Sequence, residues 1–129
     1  MSDRRVVVTG MGLVSPLGSG VEAVWARLLA GRSGLRTLPG EVVADLPTSV
    51  GGAVPTLAED PEAGFDPDRA TPPKEQKKMD RFILFAMEAA RQAIEQAGWQ
   101  AQTGEAQERT ATIIGSGVGG FGAIADAVR

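Results

Sequence analysis

The stretch RRVVVTGMGLVSPLGSGVEAVWARLLAGRSGL, residues 4–35, decides the fold class. Val6, Val7 and Val8 form a β-branched run ended by Gly10. A continuous apolar run, unlike an alternating one, marks a strand buried on both faces, as in a parallel sheet. The glycine-rich loop that follows ends at Ser19 and Glu22, spaced as a capping box with Ser19 as N-cap. Val21, Val24, Trp25, Leu28 and Leu29 then recur at helical spacing, and Gly31 is placed to stop the helix. The stretch reads as one βα unit.

Working outward, residues 39–73 differ in kind. Seven of the eight prolines lie here. From Glu41 to Asp68 there are seven acids (Glu41, Asp45, Glu59, Asp60, Glu62, Asp66, Asp68) and no base. Proline removes backbone donors and no apolar period runs through the segment, so it is expected to be an acidic surface excursion. Only VGGAV, residues 50–54, offers a short strand.

From Pro73 to Ala97 the spacing predicts one long helix. Its apolar face is traced by Met79, Phe82, Ile83, Ala86, Met87, Ala90, Ala93, Ile94 and Ala97. Pro72 and Pro73 suit the first turn, and Gly98 suits the end. The helix opens with Lys74, Lys77, Lys78 and Arg81, interrupted by Glu75 and Asp80. Cations oppose the dipole at a helix N-terminus, so helix stability does not explain the cluster. It either folds back on the acidic segment or docks an acidic partner. TATII, residues 110–114, is a second buried-strand candidate, leading through GSGVGG into a helix start.

With 129 residues the chain suits one domain. Its 13 Lys and Arg against 16 Asp and Glu leave a net charge of −3, which argues against a nucleic-acid binder. No run approaches the roughly 20 apolar residues of a membrane helix, and no signal-peptide core is present, so a cytoplasmic protein is expected. There are no cysteines and no histidines. Disulfides, thiolate metal sites, cysteine nucleophiles and imidazole bases are thereby excluded from these residues.

Gly115, Gly117 and Gly120 fit G-x-G-x-x-G between a strand and a helix. In a dinucleotide fold such glycines admit a pyrophosphate to a helix N-terminus. The acid expected about 20 residues further on has no place here, because nine residues follow Gly120. Close backbone packing is the preferred reading, and no cofactor is expected. Met79, Met87, Phe82 and Phe85 suit a core better than a lipid or acyl pocket on spacing alone.

Three ordered motifs, residues 4–35, KEQKKMDRFILFAMEAARQAI (74–94) and ATIIGSGVGGFG (111–122), resemble the N-terminal landmarks of the β-ketoacyl-acyl-carrier-protein synthases. The resemblance is strongest to the type II members, the condensing enzymes that elongate medium and long acyl chains. It implies an α/β fold, the N-terminal part of the layered α/β/α/β/α thiolase-like architecture, over residues 1–129. It also implies a homodimer and a two-stage acyl transfer using a cysteine and two histidines that this sequence lacks. The chain is therefore expected to be an N-terminal portion of such an enzyme, inactive by itself. A non-catalytic carrier-protein-binding module and a condensing enzyme of polyketide synthesis are the alternatives. By the same resemblance, Lys74, Lys77 and Lys78 inherit the docking of acyl carrier protein, and Val118 lies beside the acyl-chain pocket.

Overall fold

The long helix expected after Pro73 is two helices with a knuckle between them, and the short helix Pro67–Ala70 and the first hairpin strand pack against the second. The structure, a computed structural model, describes residues 4–128. A hairpin pairs β1 (Val14–Ser15) with β2 (Gly18–Ser19), and α1 (Val21–Leu29) follows. β3 (Leu35–Thr37) pairs antiparallel with β4 (Val50–Gly52) around the short α2 (Gly40–Val43). Then come α3 (Pro67–Ala70), α4 (Pro73–Gln76), α5 (Arg81–Ala97), α6 (Gly104–Glu108) and α7 (Phe121–Val128).

Helix α1 begins one residue later than a Ser19 cap requires. Its N-cap is Gly20, which makes no side-chain cap, while the Ser19 hydroxyl accepts a hydrogen bond from Gln92 Nε2 of α5 at 3.0 Å. A tertiary partner has taken the oxygen that a capping box would use locally. The C-terminus follows the sequence reading. Gly31 has φ +67°, and Arg32 N–H donates to Arg27 while Gly31 N–H donates to Leu28, the two bonds of a Schellman motif.

Residues 39–50 of the acidic segment lie on the surface, and the stretch from Pro55 to Thr71 packs inward in part. Ala63 and Phe65 are buried within it, 4% and 6% exposed, beside Val24 of α1 and Leu84 of α5. Phe65 sets its ring edge-on against Phe85 at 4.8 Å between centroids. Phe65 N–H donates to Pro55 within the segment, and Ser19 N–H donates to Ala63, which stitches the segment to the hairpin. Arg27 of α1 pairs bidentately with Asp60, and Asp60 also accepts from Ala63 N–H. The prolines leave room only for short elements (α2, β4 and α3), and side chains such as Asp60 satisfy further backbone donors where the segment packs inward.

Residues 10–13 run across α5 at backbone contact. A Cβ on Gly10 would fall 2.0 Å from the Ala93 carbonyl oxygen, and one on Gly12 only 1.7 Å from that of Ala89. The N–H groups of Met11 and Leu13 donate to the Gln96 and Gln92 side-chain oxygens at 2.6 and 3.0 Å. Glutamines thus do for this segment what a neighbouring strand does in a sheet. Glu88, one turn earlier and only 2% exposed, accepts from Arg91 and Gln92.

Two expected strands are unpaired among the described residues. Residues 4–10 and 110–114 join no ladder, and Val6 and Ile113 are 96% and 92% exposed. A parallel strand is held by ladders on its flanks, and neither run has a strand beside it here. The apolar stripe of α5 is likewise open. Phe82 and Ile94 are 40% and 56% exposed, whereas Leu84 and Glu88 face inward. The chain leaves 10166 Å² accessible, against about 6,500 Å² for a compact monomer of this size.

Candidate functional site

The basic knuckle is built by local chain chemistry. Pro72 (φ −57°, ψ 145°) and Pro73 set the entry to α4. The helix lasts one turn, because Asp80 adopts extended angles (φ −69°, ψ 155°) as N-cap of α5. Between them, Lys77, Lys78 and Met79 make a turn. Gln76 anchors α4 by donating through Nε2 to Asp68 Oδ1 at 2.7 Å and to the Thr71 carbonyl at 2.9 Å. Asp66 caps α3 by accepting from Asp68 N–H. The anchored short helix presents its lysines outward.

Lys74, Lys77 and Lys78 are all exposed and occupy this single knuckle. Lys78 pairs with Glu75 at 2.9 Å, a local contact. Lys74 and Lys77 form no ion pair among the described residues. The acidic segment instead spends its charge elsewhere: Asp60 on Arg27, and Glu59 on Arg36 at 2.9 Å. The cluster therefore does not fold back on its own acids. Arg81 lies over the Phe85 ring at 5.4 Å, which steadies a further cation at the start of α5.

Val118 lies in the turn before α7 and is 70% exposed. Gly119 and Gly120 have φ +60° and +52°, a conformation that disfavours a Cβ. That turn rests on the first turn of α5, where a Cβ on Gly119 would meet the Phe82 ring at 2.9 Å and one on Gly120 would meet Asp80 at 3.0 Å. Val118 and the knuckle thus approach the same helix end, which their separation of about forty residues in sequence does not reveal. The glycines serve the backbone turn.

The titratable groups with clear shifts lie away from the lysines. The Arg27 hydrogen bond holds the Asp60 carboxyl down to about 2, against burial and with help from Ala63 N–H. Burial alone would raise Glu88, but hydrogen bonds from Arg91 and Gln92 outweigh it and keep this carboxyl below the usual range. Both are anchoring pairs. Among the described residues no group of three or more His, Cys, Asp or Glu is placed to hold a metal ion. No helix there is long and apolar enough to cross a membrane.

One feature escaped the sequence. An apolar groove of about 740 Å³ opens beside the knuckle, with Phe65 and Leu84 in its floor and Leu57, Met79 and Pro73 in its wall. Leu57 and Phe65 belong to the Pro-rich segment, which carries no periodicity from which a buried face is read.

Comparison with known proteins agrees with the three-motif reading. The family "Beta-ketoacyl synthase, N-terminal domain" matches residues 3–128. The chain is 45% identical over 124 residues to a 3-oxoacyl-[acyl-carrier-protein] synthase 2 of Rhizobium meliloti (strain 1021), covering 96% of this chain and 29% of that protein. It is 41% identical over 121 residues to the synthase 2 of Coxiella burnetii (strain RSA 493 / Nine Mile phase I), covering 94% and 27%. It is 35% identical to Nodulation protein E of Rhizobium sp. (strain N33), covering 98% and 29%. The chain spans less than a third of the length of each of these relatives. By match and by motif order the chain belongs to the β-ketoacyl synthase family, as its N-terminal domain of thiolase-like α/β fold.

Proposed function

We propose that these residues form the carrier-docking part of a 3-oxoacyl-acyl-carrier-protein synthase of fatty-acid synthesis. In the proposed reaction an acyl group passes from the carrier's thiol to an enzyme thiolate, which frees the carrier thiol. Malonyl carrier protein then loses CO₂, and the carbanion left behind attacks the enzyme thioester carbonyl and expels the thiolate. The thiolate and the imidazoles for this chemistry lie outside the present 129 residues, which contain no cysteine and no histidine. The proposed working enzyme is a cytoplasmic homodimer.

The contribution assigned here is recognition. Lys74, Lys77 and Lys78 take the carboxylates of an acidic acyl carrier protein, and Val118 borders the acyl-chain pocket as a stiff, β-branched wall. The observation that carries the docking role is the exposure of Lys74 and Lys77 without ion-pair partners among the described residues, in a chain whose net charge is −3. Complementary charge of this kind chiefly raises the on-rate and lowers it again in salt.

The complete lack of Cys and His favours a second reading, a carrier-binding module without chemistry. Two measurements on the Lys74→Glu/Lys77→Glu variant, carrier affinity and condensation rate, separate the readings. Lost binding with lost condensation supports the synthase, and lost binding in a protein that never condenses supports the module. Unchanged carrier affinity rejects both.

A further inference from the structure

The turn that carries Val118 is seated on Phe82, the second residue of α5. Phe82 belongs to the apolar stripe of that helix, yet it is 40% exposed and stands outside the buried core of Val24, Ala63, Phe65 and Leu84. Its ring ends against two glycines instead. A Cβ on Gly119 would lie 2.9 Å from Cζ and 3.0 Å from Cε2, and one on Gly120 would lie 3.9 Å from Cε1. The far edge of the ring therefore lies under both residues that follow Val118. Asp80 closes from the same helix end, with Oδ2 3.0 Å from the Gly120 Cβ position, and Ser116 Oγ stands 3.2 Å from that of Gly119. Glycine is thus required here twice over, by its positive φ and by the nearness of α5.

We infer that Phe82 is a positioning residue for acyl-chain selection: its ring sets the height of the turn above α5 and so fixes where Val118 stands in the wall of the acyl pocket. This rests on the pocket role proposed above for Val118 and adds the part that holds it in place. The support is firm on the α5 side. The N–H groups of Ile83 and Leu84 donate to the Asp80 carbonyl, Leu84 is buried at 7% exposure, and Arg81 lies over the Phe85 ring at 5.4 Å. On the other side the Gly120 carbonyl accepts from Ile124 N–H, which ties the turn to α7. Valine is stiff at χ1, so a displacement of the turn becomes a displacement of the wall. In an apolar pocket one methylene of fit changes selection by about 10–200-fold. A small shift of Val118 is therefore read most directly as a change in chain-length selectivity.

The test is the selectivity of condensation by the full chain as made in its source. Hexanoyl-, decanoyl- and hexadecanoyl-acyl carrier protein serve as acyl donors, with malonyl carrier protein as extender. The readout is the ratio of kcat/KM between donors, because a merely destabilised protein loses rate on all of them alike. Phe82→Ala and Phe82→Leu are expected to reduce the ratio between the best and the poorest donor about tenfold. Circular dichroism verifies folding, and Phe82→Leu, which keeps most of the apolar volume, carries the test if Phe82→Ala does not fold. Gly119→Ala makes the reciprocal change, a methyl driven against the ring. In a Phe82→Ala background that methyl meets no ring, so the double variant should lose about tenfold less kcat/KM than the two single effects multiplied together. The strain of alanine at positive φ is common to both Gly119→Ala proteins and cancels in the comparison.

Val118→Ala separates this inference from the reading beneath it. If Val118→Ala changes the donor ratio while both Phe82 variants keep the wild-type ratio, Val118 borders the pocket, Phe82 does not position it, and the inference alone is wrong. If Val118→Ala leaves the ratio unchanged, or the chain as made in its source condenses no donor, the pocket reading fails and takes the inference with it. Equal losses on all donors in the Phe82 variants assign the ring to stability alone and also overturn the inference.

Discussion

Replacing Gly12 by alanine puts a methyl group 1.7 Å from the carbonyl oxygen of Ala89 and 2.6 Å from its carbon. The closest comfortable carbon–oxygen approach is about 3.3 Å, so the chain must lift by about 1.6 Å. Ala89 cannot retreat, because its carbonyl is part of the α5 backbone. Lifting residues 11–13 breaks or stretches the two hydrogen bonds to Gln96 and Gln92, now 2.6 and 3.0 Å. Each contributes about 1 kcal/mol, and forced overpacking costs about 1–3 kcal/mol, so the expected loss is about 3–5 kcal/mol. Urea denaturation read by Trp25 fluorescence measures it, since Trp25 shares an apolar cleft with Gly12 and Ala89. A Trp99→Phe background removes the second indole. Gly104→Ala is the control. A Cβ there meets nothing within 4 Å and the site opens α6, so it should be neutral or slightly stabilising. A Gly12→Ala protein as stable as the control would show that residues 10–13 do not lie on α5.

Two ion pairs make further predictions. Asp60 is held at about 2 against 3.8 ordinarily, and this depression stabilises the fold by about 2 kcal/mol near neutral pH. Because the folded-state value is the lower one, that stabilisation is complete above about pH 4 and disappears as pH falls toward 2. Asp60→Asn should remove this part of the acid dependence, and an unchanged stability profile between pH 5 and 2 would contradict the pairing. Glu88→Ala should cost about 2 kcal/mol, below the 3–5 kcal/mol of a fully buried broken pair, because Arg91 keeps Glu95 at 2.7 Å and is 32% exposed. Thermal melts of Glu88→Ala and Glu88→Gln test this, with Gln the milder change.

Helices were legible in the sequence wherever their signals are local. The spacing of Val21 to Leu29, the Gly31 stop and the Gly98 end depend on a few neighbouring residues, and the structure has them. The knuckle after α4 was missed because the apolar period runs unbroken through Met79 and Phe82, while the break is set by Asp80 taking extended angles. The partial burial of the acidic segment beyond Pro55 left no sequence signal for a similar reason. Phe65 is buried by Phe85 twenty residues on, and Asp60 by Arg27 far upstream, and neither pairing leaves a pattern in the segment itself.

By itself the sequence determined the family, through three motifs in order, and it excluded thiolate and imidazole chemistry from these residues by composition. It also placed Lys74, Lys77 and Lys78 in one cluster. Only the tertiary structure decided that Lys74 and Lys77 form no ion pair among the described residues, that an apolar groove opens beside them, and that the Val118 turn meets the same end of α5. The physical reason is range. Composition and periodicity are properties of short windows, whereas charge pairing, cavities and close backbone approach come from residues far apart in the chain meeting in space.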